Sequence, residues 1–582
     1  MNGPFLPRIA RAAIVAAVLA AGASPAFAAT FTWVPVSGAG TWTDSGNWTS
    51  TVTGTFPNSV DDSADVGGQK TGNMTITLNQ PITLRTLSFG DTNNPYYSTT
   101  LTGTTSGLLM FSSTTGTATL SMKGSVNQTA AGENIFNVGM QLANTLDVRF
   151  TTSSGPAQIV VTGSVTASTA GLKMIRYVAP STATTTYESY VNFRGNITDG
   201  SGQIGILQNC LAPNSVNSLK LTGTGNSFSG PVQILSKAIS ASPASGTNGA
   251  LGTGPLQLGD VSGTSSATLN LGGSLSTVTE RNAITVPEGN SGARTIAVTG
   301  TGNRILSGSM SVQNAGGVTL ACSSAGDLTF SNAISGTGPI TISSTSGSGK
   351  VIFSGNGSTH SGTVTIQSRG LQLAGGSALA ASKIVPLAGG TMTLAPALQA
   401  TVGGLSPNAG GLIDVGSGYV TVAAGLSVAE MLVALNAGRR DGSWSGTSGI
   451  TSSTAAADLA VSISRTVGWL DNGDGSVAFA FAAPGDTNLD WNVDILDAAN
   501  FLAGGKFDSG TPATWNEGDL GYDGVVDILD AADFLTTGLY NTGAYNPPAG
   551  AAGVVAAVPE PVGLGAIALA AVALVVHRRT RR

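Results

Sequence analysis

Charge is what this 582-residue chain lacks first. Asp, Glu, Lys and Arg together make up 10% of it, against about 25% in ordinary globular domains. Histidine is scarcer, with two residues, and one of these, His577, lies in a basic C-terminal tail. That leaves His360 alone in the body, so a serine or cysteine nucleophile has almost no histidine base to work with. A zinc centre built on several histidines is excluded on the same count. From Thr30 to Gly425 there are only fourteen acidic residues, and the one close group is Asp61, Asp62 and Asp65. Glycosidases and lyases depend on clustered carboxylates, so no catalytic constellation stands out and the expectation is a protein without enzymatic activity. Cysteine is limited to Cys210 and Cys322, which allow either one disulfide or two buried free thiols. The body carries no basic patch, which argues against a nucleic-acid partner.

Glycine, by contrast, is abundant at 81 residues, about twice the usual share of ~7%, and 41% of the chain is hydrophobic, too much for a disordered tail. Three tryptophans, Trp33, Trp42 and Trp48, alternate with turn residues and predict a small N-terminal β cap over residues 29–67, in preference to an aromatic binding platform. Over 68–425, runs of three to five alternating residues recur between Gly, Asn and Ser turns, among them Met74–Leu78, Ile82–Leu84, Gln158–Val161, Thr295–Val298, Val318–Leu320, Leu328–Phe330, Ile340–Ile342 and Val364–Ile366. Repetition of this kind predicts stacked coils, each burying its apolar face on its neighbours, with a series of β-sandwiches as the competing architecture.

Two longer segments align. They are Leu219–Ile234, with Gly223, Asn226, Phe228 and Gly230, and Val351–Ile366, with Gly355, Ser358, His360 and Gly362. They resemble the autotransporter-associated β-strand repeat, and the resemblance implies a right-handed parallel β-helix displayed at a cell surface. His360 stands where that pattern has an aromatic. Residues 426–483 change texture. A short helix is expected over Val428–Leu435 with Gly438 just beyond its end, then strands at Leu459–Ile463 and Val477–Phe481, with Asp471–Gly475 as a hairpin turn.

Both ends carry processing signals. Residues 1–28 have a basic start, an apolar run from Ala12 to Ala23 and the small-x-small motif ending at Ala28, the layout of a secretory signal peptide cleaved after Ala28. After a linker over 542–557, residues 558–582 carry Pro559, Glu560 and Pro561, an apolar stretch Val562–Val576 and an arginine-rich tail. Fifteen apolar residues are short for a transmembrane helix, which usually needs ~17–25. This arrangement resembles the PEP-CTERM sorting signal. The resemblance implies recognition by an exosortase and the secretion machinery, transient membrane anchoring through the C-terminal helix, and delivery to the outer membrane, cell surface or extracellular matrix. A permanent anchor whose tail is never cut is the alternative. Loss of both ends leaves 30 acids against 19 bases, a net charge of −11.

The densest chemistry lies at 484–541. Two twelve-residue loops, Asp486–Asp497 and Asp519–Asp530, start 33 residues apart, and from Asp486 to Asp530 ten acids face one base, Lys506. Oxygen ligands at loop positions 1, 3, 5, 9 and 12 with a carbonyl at 7 can wrap a hard cation such as Ca²⁺. Each loop runs into an amphipathic helix, with Ile495, Ala498, Ala499 and Leu502 in the first and Ile528, Ala531, Ala532 and Leu535 in the second. The repeated Val-Asp-Ile-Leu-Asp-Ala-Ala-x-Phe-Leu resembles a type I dockerin. That family implies two Ca²⁺ ions and docking on a cohesin-type receptor. Its ligands map to Asp486, Asn488, Asp490, Asn492 (carbonyl), Asp494 and Asp497, then to Asp519, Asp523, Val525 (carbonyl), Asp527 and Asp530. Trp491 replaces the usual loop glycine, where a positive φ is strained, and Gly521 supplies no side-chain oxygen. Ile495, Leu496, Ile528 and Leu529 are candidate receptor contacts and equally candidate core. The expected fold is therefore mainly β, a parallel β-helix or solenoid with a small α-helical calcium-binding module. The expected role is structural or adhesive. The rival is cargo of a polysaccharide-degrading assembly, an enzyme or a binder of surface polysaccharide.

Overall fold

A computed structural model describes residues 28–546 except 52–54, 94, 124–131, 151–156, 179–188, 211–216, 247 and 345. Residues 1–27, nearly all of the expected signal peptide, and the motif Pro559, Glu560 and Pro561 lie outside the described residues. So does the apolar stretch Val562–Val576.

The body is mainly β and built of long parallel sheets in a β-solenoid-like stack. Two sheets run most of its length, of thirteen and eighteen strands among the described residues. A third face is formed by a four-stranded sheet from Pro81–Leu84 to Val165–Ala167, and farther on by an eight-stranded one from Thr277–Glu280 to Gly449–Thr451. Apart from antiparallel pairs at its two ends, strands of the stack pair in parallel with the strand one coil earlier, so alternate side chains form inward columns. One such column runs Ile76, Leu101, Phe136, Val161, Phe193, Leu221, Ala241, Leu271, Val298 and Cys322, and every member is buried. Parallel partners in the eighteen-stranded sheet lie from 36 residues apart (Gly38 and Met74) down to 20 (Gln399 and Tyr419). All eight alternating runs read from the sequence are strands or parts of them.

The two aligned segments occupy equivalent turns. Asn226 accepts a hydrogen bond from the Ile197 amide at 2.8 Å, and Ser358 accepts one from Ile334 at 3.0 Å. Phe228 and His360 are both fully buried. The imidazole fills the aromatic's place by bonding to Ser382 Oγ and the Gly338 carbonyl, each at 2.8 Å, and burial lowers its pKa. Glycine is needed where the turns of successive coils touch. A Cβ on Gly230 would lie 2.3 Å from the Ile204 carbonyl oxygen, and one on Gly254 2.0 Å from that of Gly230.

The N-terminal tryptophans are buried and pack edge to face, with Trp48 4.9 Å from Trp33 and 4.7 Å from Trp42. Trp33 and Trp48 face each other on an antiparallel pair, Thr30–Trp33 with Trp48–Ser50, at the start of the first sheet, and Trp42 follows the strand Gly38–Thr41 of the second. Asp61, Asp62 and Asp65 tie loops together: Asp61 accepts from Ser113 and Thr114, Asp62 from Ala29 and Asn58, and Asp65 pairs with Lys123 at 2.6 Å. Cys210 and Cys322 are buried and form no disulfide.

Among the described residues the C-terminal part holds four α-helices, α1 (Val428–Arg439), α2 (Ser453–Leu459), α3 (Ile495–Ala503) and α4 (Ile528–Thr536). Two expectations need correction. Gly438 does not follow α1 but lies inside it, where a Cβ would come within 1.8 Å of the Ile450 carbonyl oxygen. Leu459–Ile463 is not a strand. The Ser452 hydroxyl caps α2 through the Ala455 amide at 2.9 Å, and Leu459, the last residue of that helix, and Val461 and Ile463 just beyond it are exposed. The hairpin around Asp471–Gly475 is present, joining Thr466–Asp471 to Val477–Ala482.

A buried carboxyl in the stack gives a pH test. Glu280 accepts from the amides of Ala250 (3.1 Å) and Leu251 (3.3 Å). Burial pushes its pKa from an ordinary 4.5 up to about 7, with the Arg304 guanidinium pulling the other way. Because the folded value is raised, the stability it contributes is present below pH 4.5 and lost as pH rises through 7. The Glu280→Gln variant, which cannot ionise, should therefore gain on wild type by about 3 kcal/mol between pH 4.5 and 8. Thermal unfolding of both proteins across that range checks it, and parallel curves would contradict it.

Candidate functional site

The two acidic loops are folded around their own carboxylates, and in the same way twice. At position 1, Asp486 accepts from the amides of Asp490 (3.2 Å) and Trp491 (3.0 Å), and Asp519 from those of Asp523 (3.1 Å) and Gly524 (3.0 Å). At position 12, Asp497 accepts from Thr487, Asn488 and Asp494 at 2.8, 3.3 and 2.9 Å. Asp530 accepts from Leu520, Gly521 and Asp527 at 2.8, 2.8 and 2.9 Å. At position 9, Asp494 and Asp527 cap α3 and α4 by accepting from Leu496 and Leu529, each at 2.7 Å. These bonds satisfy amides that a helix start leaves without partners.

The backbones also match. Leu489 and Tyr522 at position 4 have φ of +59° and +63°, and Trp491 and Gly524 at position 6 have +68° and +86°. Trp491 thus adopts the left-handed conformation its place requires, at a cost of roughly 1–2 kcal/mol. Its buried indole offsets this, with Nε1 donating to the Phe481 carbonyl at 3.0 Å.

Electrostatically the loops are short of positive charge. Burial pushes Asp486 up to about 7, helped by Asp497 and Asp490 and opposed by a hydrogen bond from Tyr545. Burial likewise takes Asp519 to about 6 and raises Asp497. The single base, Lys506, is held by Glu517 at 2.7 Å and the Pro512 carbonyl at 2.7 Å. Among the described residues no group of three or more His, Cys, Asp or Glu side chains is arranged to hold a metal ion. The sets expected from sequence, Asp486, Asn488, Asp490, Asp494 and Asp497 with the Asn492 carbonyl, and Asp519, Asp523, Asp527 and Asp530 with that of Val525, draw on amide and carbonyl oxygens as well as carboxylates.

The helices turn their large aliphatic side chains outward. Ile495, Leu496 and Leu502 of α3 and Ile528, Leu529 and Leu535 of α4 are 52–72% exposed. This resolves the alternative left open for Ile495, Leu496, Ile528 and Leu529, which are not core. The inner contacts are Phe501 and Phe534, whose rings lie 5.9 Å apart. They pack reciprocally: a Cβ on Gly518, just before the second loop, would meet Phe501 at 2.5 Å, and one on Gly485, just before the first, would meet Phe534 at 3.0 Å. Sequence reasoning missed three supporting aromatics, Trp515, Tyr522 and Tyr545. The Trp515 indole donates to the Asp486 carbonyl at 2.8 Å, and the Tyr545 hydroxyl donates to the Asp486 carboxylate at 2.5 Å. Isolated aromatics in irregular chain carry no periodic signal; only the aromatic density of 515–545 could have pointed to them. Compared with family models, curated proteins and solved structures, the chain matches none.

Proposed function

We propose that this chain is an exported, non-enzymatic protein of the cell surface or extracellular matrix. In this reading a right-handed parallel β-helix acts as a structural or adhesive stalk and carries a calcium-dependent, dockerin-type docking module. The observation that supports it best is the duplication: two loops with the same carboxylate-to-amide hydrogen bonds, each leading into a helix with the same aliphatic pair exposed. The residues fit a hard cation, since their donors are oxygen throughout and the segment from Asp486 to Asp530 carries one base, Lys506, already paired with Glu517. Bound Ca²⁺ would neutralise that charge, and Asp486, Asp497, Asp519 and Asp530 would hold the loop backbone around it. With no side-chain oxygen at Gly521, the second loop should bind more weakly than the first. The exposed strips of α3 and α4 would receive a cohesin-type receptor, while Pro559, Glu560 and Pro561 direct sorting by an exosortase.

Calcium titration of the full chain, followed by capture of binding proteins from the producing cell's exported fraction, tests this. Two binding events of unequal affinity are expected, together with calcium-dependent capture. Replacing Ile495, Leu496, Ile528 and Leu529 by aspartate should reduce capture at least ~100-fold, as loss of a buried apolar interface core does. Absence of calcium binding, or capture indifferent to those four residues, would sink the docking reading.

A further inference from the structure

The stack ends in the hairpin Thr466–Asp471/Val477–Ala482. Its second strand pairs antiparallel with Tyr419–Val422, the last parallel strand of the eighteen-stranded sheet, and its first forms the outer edge. Register places Thr466, Gly468, Leu470, Ala478, Ala480 and Ala482 on one face. Glycine and alanine make that face nearly flat, and the loop–helix module lies on it. A Cβ on Gly468 would stand 2.4 Å from Leu489 and 2.7 Å from the Trp515 indole. The Tyr522 hydroxyl bonds to Thr466 Oγ1 at 2.8 Å and donates to the Val467 carbonyl. Trp491 reaches the Phe481 carbonyl, and the Tyr545 hydroxyl accepts from the Ala483 amide at 2.9 Å.

Leu489, Trp491 and Tyr522 lie between the proposed ion ligands, at positions 4 and 6 of the loops. The loops therefore cannot unfold without withdrawing the side chains that cover the hairpin. Solenoid ends need covering, because an open edge strand and a bare apolar layer invite fraying and pairing with other chains. We infer that the module has a second function as the C-terminal buttress of the β stack, with calcium locking the closing hairpin in place through the loops. The lock rests on the calcium reading above; the packing does not.

The test follows amide hydrogen exchange of 466–471 and 477–482 in the full chain, calcium-saturated and EGTA-treated, beside a calcium titration. Exchange should quicken about tenfold or more in EGTA, while the column from Phe136 to Leu221 stays protected. The Gly468→Val variant, which pushes Leu489 and Trp515 away without touching a ligand, should show the same quickening in saturating calcium. Calcium binding with unchanged hairpin exchange overturns the lock. If no calcium binds, the docking reading fails and the lock with it, and the buttress is then judged on Gly468→Val, where unchanged exchange overturns it. Should that variant not fold, Tyr522→Phe, which removes only the hydroxyl contacts, takes its place with a smaller quickening expected.

Discussion

Asp497→Ala is expected to destabilise the C-terminal module by about 3–5 kcal/mol even in EGTA. The Asp497 carboxylate is buried and accepts from the amides of Thr487, Asn488 and Asp494 and from the Thr487 hydroxyl. Alanine leaves those donors inside without partners, at about 1–3 kcal/mol each, with some relaxation. Asp490→Ala makes the contrast, since Asp490 is exposed and its acceptors serve Asn492 and Asn488. It should be nearly neutral in EGTA and lose stability only where calcium is present. Urea unfolding read by Trp491 and Trp515 fluorescence, with and without calcium, separates the two roles. Equal losses in EGTA would mean that Asp497 does not organise the loop.

Gly254→Ala should be among the most damaging single-methyl changes in the body. The new Cβ would meet the Gly230 carbonyl oxygen at 2.0 Å and the Ser229 carbonyl oxygen at 2.6 Å. Both obstacles are backbone, so two coils must part locally, at a cost of ~3 kcal/mol or more. Gly68→Ala is the control. Nothing lies within 4 Å of a Cβ there, and a change within about 0.5 kcal/mol is expected. Thermal midpoints of the two variants check the difference, and similar values would mean that the coils have room to yield.

The strands were legible because each coil repeats a local rule, apolar residues alternating between turn formers. Glycine's abundance was legible too, though not its cause: Gly230 and Gly254 are distant in sequence and touch only once the coils are stacked. Amphipathicity told which residues of α3 and α4 share a face but not which way it points. The pattern through Ile495 and Leu502 looks the same whether it meets a core or a partner. At Leu459–Ile463 alternation misled because three exposed apolar residues, one ending a capped helix and two just beyond it, imitate a half-buried strand. The packing of the module on the hairpin was invisible, since Gly468, Trp515 and Tyr545 belong to no repeat, Tyr522 differs from its counterpart Leu489, and they meet only through tertiary structure.

The spacing of stacked partners has a mechanical consequence. Strands lie across the long direction of the stack, and force applied between the two ends loads the hydrogen bonds joining one coil to the next. Such a ladder parts a rung at a time, and each rung releases the chain stored in one coil. Partner spacings of 20 to 36 residues correspond to steps of roughly 70–120 Å in extended chain. A stack of this kind lengthens in unequal increments under tension and absorbs work at each one.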